Sequence, residues 1–69
     1  MDKAAKMRKC GRELEKILNG DKAYSEGCFI TAIKFADSPE TKTYLKLAMY
    51  GHPVRFELYT FIQYLKSQQ

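Results

Sequence analysis

The sequence is poor in the residues most enzymes rely on. Histidine occurs once, at His52, and the two cysteines, Cys10 and Cys28, stand apart from each other. No C-x-x-C or H-x-x-x-H spacing links them. A zinc site needs three or four nitrogen, sulfur or oxygen ligands held together, so neither a metal nor a cofactor is expected. The four glycines are isolated from one another, which leaves no glycine-rich loop to cradle a phosphate. Two cysteines are too few for a disulfide framework. No apolar run approaches the roughly 18 residues of a membrane span, so no membrane partner is expected. Met1-Asp2-Lys3 lacks the apolar stretch of a secretion signal, and a cytoplasmic location is the expectation. With no catalytic constellation, the chain is expected not to be an enzyme.

What is present is a short, mixed-charge, normally apolar chain. Its 69 residues make one expected domain. A chain of this length buries only about 60% of its unfolded surface and is marginal alone. It therefore needs a tight core, a staple or a partner. Twelve lysines and arginines against eight acids give a net charge of +4. That charge permits nucleic-acid or acidic-protein partners, and it equally suits a solvated surface.

Helical periodicity runs through the chain. The reading is an all-α domain of four short helices, at about 3–19, 26–36, 39–50 and 53–66. In the first, Ala4, Met7, Cys10, Gly11, Leu14, Ile17 and Leu18 share a stripe about 140° wide. Asn19-Gly20-Asp21 ends it with residues that tolerate left-handed backbone. On this helix Glu13 is expected to form no ion pair. The second, from Cys28 to Ala36, is the most apolar stretch and the expected central element. Its arc joins Cys28, Phe29, Ile30, Ala32, Ile33, Phe35 and Ala36, which calls for cover on several sides. Ser25 is its expected N-cap. Its β-branched residues could also make a strand, but no second segment alternates to pair with it.

Ser38-Pro39-Glu40 reads as a helix start, with a capping hydroxyl, a proline at the first position and an acid in the first turn. Tyr44, Leu45, Leu47, Ala48 and Met49 form the inner side of this third helix, and Lys42, Thr43 and Lys46 the wet side. Gly51 stops it. His52-Pro53 is read as the start of the fourth, with Pro53 at the first helical position and His52 as a turn residue. Val54, Leu58, Phe61, Ile62 and Leu65 form a core stripe about 100° wide. Both cysteines fall on apolar stripes and are expected as free, buried thiols. Burial in hydrocarbon should raise the pKa of each. A Cys10–Cys28 bridge is the alternative that spacing leaves open.

Five tyrosines and four phenylalanines are many for so short a chain. The core stripes take Phe29, Phe35, Tyr44 and Phe61. Phe56, Tyr59 and Tyr64 fall outside them on the last helix, and Tyr50 lies near its start. Rim aromatics bring large area at low entropy cost and often anchor partners. The expected function is therefore a regulator, adaptor or inhibitor that binds another protein, or itself, through Tyr50, Phe56, Tyr59 and Tyr64. The opposing reading is that the first helix covers these rings.

The segment from Ala32 to Leu45 resembles a helix-turn-helix. Ala32 matches the small residue of the first helix, Ala36 the turn glycine, and Ser38-Pro39-Glu40-Thr41 the start of a recognition helix. Asp37 and Lys42 stand where that motif buries aliphatic residues. This resemblance implies DNA binding through Lys42, Thr43 and Lys46, with few cations to contact phosphates. Met7-Arg8-Lys9-Cys10, Leu14-Glu15-Lys16-Ile17-Leu18, Phe35-Ala36-Asp37 and Met49-Tyr50 followed by Pro53 are similar, in order, to landmarks of the Hha/YmoA group of small helical nucleoid modulators. The group's tryptophan near the C-terminus is absent. That resemblance implies partnership with a nucleoid protein rather than direct base readout.

Overall fold

The computed structural model describes residues 2–69. Among them are four helices and no strand: α1 (Lys3–Leu18), α2 (Glu26–Phe35), α3 (Pro39–Met49) and α4 (Tyr59–Lys66). Each of the first three begins on a side chain that satisfies a free backbone N–H. Ala5 N–H donates to Asp2 Oδ1 at 2.7 Å, Cys28 N–H to Ser25 Oγ at 3.3 Å, and Thr41 N–H to Ser38 Oγ at 3.1 Å.

Two of the helices end alike. After α1, Gly20 takes φ +82°, and the Gly20 and Asp21 N–H groups donate back to the Ile17 and Lys16 carbonyls. After α3, Gly51 takes φ +87°, and Gly51 and His52 donate to Ala48 and Leu47. This paired closure satisfies the last carbonyls and requires left-handed backbone, which glycine adopts without strain.

α4 departs from expectation. It begins at Tyr59, six residues after Pro53. Ser38 supplies a hydroxyl in front of Pro39, but no side chain caps the chain in front of Pro53. Val54 N–H instead donates to the His52 carbonyl at 2.9 Å, turning the chain sharply around Pro53. Residues 55–58 then form a turn that delivers Leu58 into the core with no exposed surface.

The helices pack in the spatial order α4, α1, α2, α3. The core is drawn from all of them: Met7, Cys10, Leu14, Phe29, Ala32, Leu45, Leu58, Phe61, Ile62 and Leu65 are among its buried residues. α2 was expected to be covered on several sides. It packs mainly against α1 and α3, and Ile30 remains 43% exposed. The centre is shared between α1 and α2.

α1 and α4 cross most closely at Gly11. A Cβ there would lie 2.8 Å from Leu65 Cβ and 3.1 Å from the Lys66 nitrogen. Contacts flank this point on both sides. Arg8 Nη1 donates to the Gln68 carbonyl at 2.8 Å, and Lys66 Nζ to Glu15 Oε1 at 2.9 Å. The order of these pairs makes α4 antiparallel to α1. Glu13, expected to be unpaired, forms an ion pair with Lys22 at 3.4 Å, because the connection after α1 folds back along the helix. Such partly exposed pairs contribute roughly 0–1 kcal/mol each.

Gly11→Ala tests this crossing. Alanine favours an isolated helix by about 1 kcal/mol, but overpacking a tight contact costs about 1–3 kcal/mol. The expected net result is a lower denaturation midpoint. Gly27→Ala is the control: the nearest atom to its added Cβ is Ser25 Oγ, 3.9 Å away. That variant should match or exceed wild type by up to about 1 kcal/mol.

Candidate functional site: an aromatic groove between α1 and α4

The antiparallel crossing brings the end of α1 beside the turn that precedes α4. Leu18 and Asn19 meet Arg55, Phe56, Tyr59 and Ile62 there, with Glu15 at the edge, around a groove of about 480 Å³. Tyr59 and Ile62 are three residues apart on α4 and share a face. Phe56 projects from the turn and is 83% exposed, and Tyr59 is 62% exposed. Leu18 is half-buried and Ile62 buried, so the floor is aliphatic and the walls are aromatic. The Arg55 guanidinium stands 5.7 Å from the centre of the Phe56 ring. A cation over a ring face is favourable by about 0.5–1 kcal/mol at an exposed site, and here it helps orient Phe56. Lys66 partly neutralises Glu15.

The four aromatics expected to act together separate into two that line one groove and two that do not. Phe56 and Tyr59 wall the groove. Tyr50 caps the end of α3, 81% exposed, and is not part of the groove lining. Tyr64 is 39% exposed and stacks on Phe61, with ring centres 6.2 Å apart. α1 does pack on α4, but through Gly11 and its neighbours, and this leaves the rings of Phe56 and Tyr59 uncovered. Leu18 and Ile62 were read only as core, and Arg55 had no assigned role. Nothing in the local sequence joins residues 18 and 56. Tyr24 also remains exposed and stacks on Phe29, with ring centres 5.5 Å apart.

Lys42, Thr43 and Lys46 are exposed on α3. The Thr43 hydroxyl donates to the Pro39 carbonyl within its own helix at 3.1 Å. Asp37 and Lys42, at the helix-turn-helix positions that hold buried aliphatics, are both exposed. Asp37 Oδ1 accepts a hydrogen bond from Thr41 Oγ1 at 3.0 Å, so it supports the start of α3 instead of filling a core.

A second groove, of about 530 Å³, runs between α1 and α2 and is lined by Lys6, Lys9, Cys10, Glu13, Ser25, Gly27, Cys28 and Thr31. Both cysteines are free and buried. Cys10 Sγ donates to the Cys28 carbonyl at 3.9 Å. The thiols do not share the raised pKa expected of both. Cys10 is pushed up, first by hydrogen bonding with Cys28 and then by burial. Cys28 is pulled down first by side-chain hydrogen bonding from the Cys10 thiol, with Lys22 assisting against burial and Glu13. Among the described residues, no group of three or more His, Cys, Asp or Glu could hold a metal ion, and no helix is long and apolar enough to cross a membrane.

No family model, curated protein or solved structure matches the chain.

Exposure and burial separate neighbouring residues here. Phe56→Ser and Tyr59→Ser should each change stability by less than about 1 kcal/mol. Leu58→Ala, between them in sequence but fully buried, should cost about 2–5 kcal/mol. Urea titrations of the three variants measure the difference.

Proposed function

We propose that this protein is a non-enzymatic regulator, adaptor or inhibitor that occupies another protein's surface through the groove walled by Phe56 and Tyr59. The supporting observation is the exposure of these two rings over an aliphatic floor of Leu18 and Ile62. Large rings held at the rim of an apolar hollow suit an apolar side chain entering from a partner, with Arg55 and Glu15 as the polar edge. Burying each ring would contribute on the order of 1.5–3 kcal/mol. A second copy of the chain is the other occupant of this kind.

The test is the double variant Phe56→Ser with Tyr59→Gln, and Tyr64→Gln as a separate comparison. Sedimentation velocity reads self-association, and quantitative capture from cell extract reads foreign partners. Each ring lost should weaken the interaction roughly ten- to a hundredfold, while the fold persists by circular dichroism. An unchanged oligomer together with unchanged captured proteins would refute the groove as the interface.

The second reading is DNA binding through Lys42, Thr43 and Lys46. It is favoured by the exposure of all three on a helix joined to α2 by only a short connection. Binding to duplex DNA should then weaken steeply with salt as counterions are released from phosphates. An apolar groove is indifferent to moderate salt. Fluorescence anisotropy at two salt concentrations, with Lys42→Glu plus Lys46→Glu, separates the two. Tight, salt-sensitive binding that this variant loses would make DNA the target.

A further inference from the structure

The α1–α2 groove is not used by the function proposed above, yet both cysteines line it. We propose that Cys10 and Cys28 form a redox modification site: hydroperoxide oxidises Cys28, and Cys10 closes the pair to a disulfide that joins α1 to α2.

Three placements carry this. The cysteines sit on facing helices, with Cys10 Sγ 3.9 Å from the Cys28 carbonyl, so a small side-chain rotation brings sulfur toward sulfur. Both border a groove open to solvent, wide enough for a peroxide although each side chain is buried. And the two are not equivalent. Cys28 is the third residue of α2, inside the first turn, where the helix dipole favours a thiolate. Cys10 lies mid-way along α1, away from either helix end. The charged groups around the pair are Lys6 and Lys9 of α1, Lys22 of the connection, and Glu13, which Lys22 partly neutralises. The lowered Cys28 and raised Cys10 agree with this division of roles.

The chemistry closes without any further reagent. The Cys28 thiolate attacks one peroxide oxygen. The O–O bond breaks, and the departing hydroxide takes a proton to become water. Cys28 is then a sulfenic acid. With the thiolate gone, the interaction that holds the proton on Cys10 is weakened. Cys10 sulfur attacks Cys28 sulfur, the S–O bond breaks, and the Cys10 proton leaves with the hydroxyl group as a second water. Two thiols are oxidised and one peroxide is reduced.

The experiment exposes the native, reduced chain to dilute hydrogen peroxide. Intact mass should fall by two hydrogens, with no thiol left to alkylate after denaturation and full reversal by dithiothreitol. The product should be monomeric and melt at a higher temperature than the reduced chain. In Cys10→Ser, a dimedone adduct should accumulate on Cys28. In Cys28→Ser, Cys10 should stay unmodified over the same exposure. The corresponding alanine variants repeat the comparison, and circular dichroism verifies that each is folded. In the wild-type chain, the first reaction at Cys28, located by peptide mapping, should also reach half its maximal rate at a lower pH than a free cysteine peptide does. Unchanged mass, or only intermolecular dimers, would overturn the site. Equal reactivity of Cys10 and Cys28 in the single variants would overturn the assigned order.

Discussion

The close approach of α1 and α4 at Gly11 is the constraint on which the rest of the structure depends. With no side chain at that position, the Leu65 Cβ and the backbone of Lys66 can rest against α1. The depth of contact sets the register. It places Arg8 opposite the Gln68 carbonyl and Glu15 opposite Lys66, three residues before and four residues after the glycine. The same register brings Leu58, Phe61 and Leu65 into the core. At the far end it sets Leu18 beside Tyr59 and Ile62. The aromatic groove is thus a by-product of how tightly two helices cross some distance away. Any residue larger than glycine at position 11 would disturb core and groove together.

Size explains the surface. A short chain lacks the volume to bury every large apolar side chain, and among the described residues this core contains no buried polar side chain. What does not fit is left outside in an uneven way. Tyr50 and Phe56 are far more exposed than Tyr64. Single exposed apolar residues are ordinary on any protein, and it is contiguity that carries meaning. Phe56 and Tyr59 are contiguous with Leu18 and Ile62, whereas Tyr50 stands by itself at the end of its helix. The contiguous apolar surface is therefore centred on the two groove rings.

α1 serves two seams with different chemistry. Toward α4 it offers glycine, leucine and flanking polar contacts, and the result is tight packing. Toward α2 it offers Cys10, beside Cys28 in the first turn of α2. The second seam contains the two buried thiols, and it borders open space lined in part by Lys6 and Lys9. The two seams thus draw on adjoining positions, Gly11 and Cys10, of the same apolar stripe of α1.

Much of the fold was legible in the sequence because helix ends are decided within a turn. Ser25, and Ser38 with Pro39, each satisfy a backbone N–H three residues away, and Gly20 and Gly51 adopt left-handed backbone where α1 and α3 stop. These interactions need no distant partner, so helices one to three begin and end close to their expected positions. The fourth did not, because His52 offers no cap and the chain from Val54 to Leu58 is held by where Leu58 must be buried. The same distinction runs through the sites. That Phe56 and Tyr59 lie outside the core stripe was legible, but that α1 leaves their rings uncovered was not. Their union with Leu18, the exposure of Ile30, the pairing of Glu13 with Lys22 and the opposed acidities of Cys10 and Cys28 did not follow from any local pattern. Each depends on which helix faces which, and that is decided by side-chain volumes meeting through space between residues far apart in the chain.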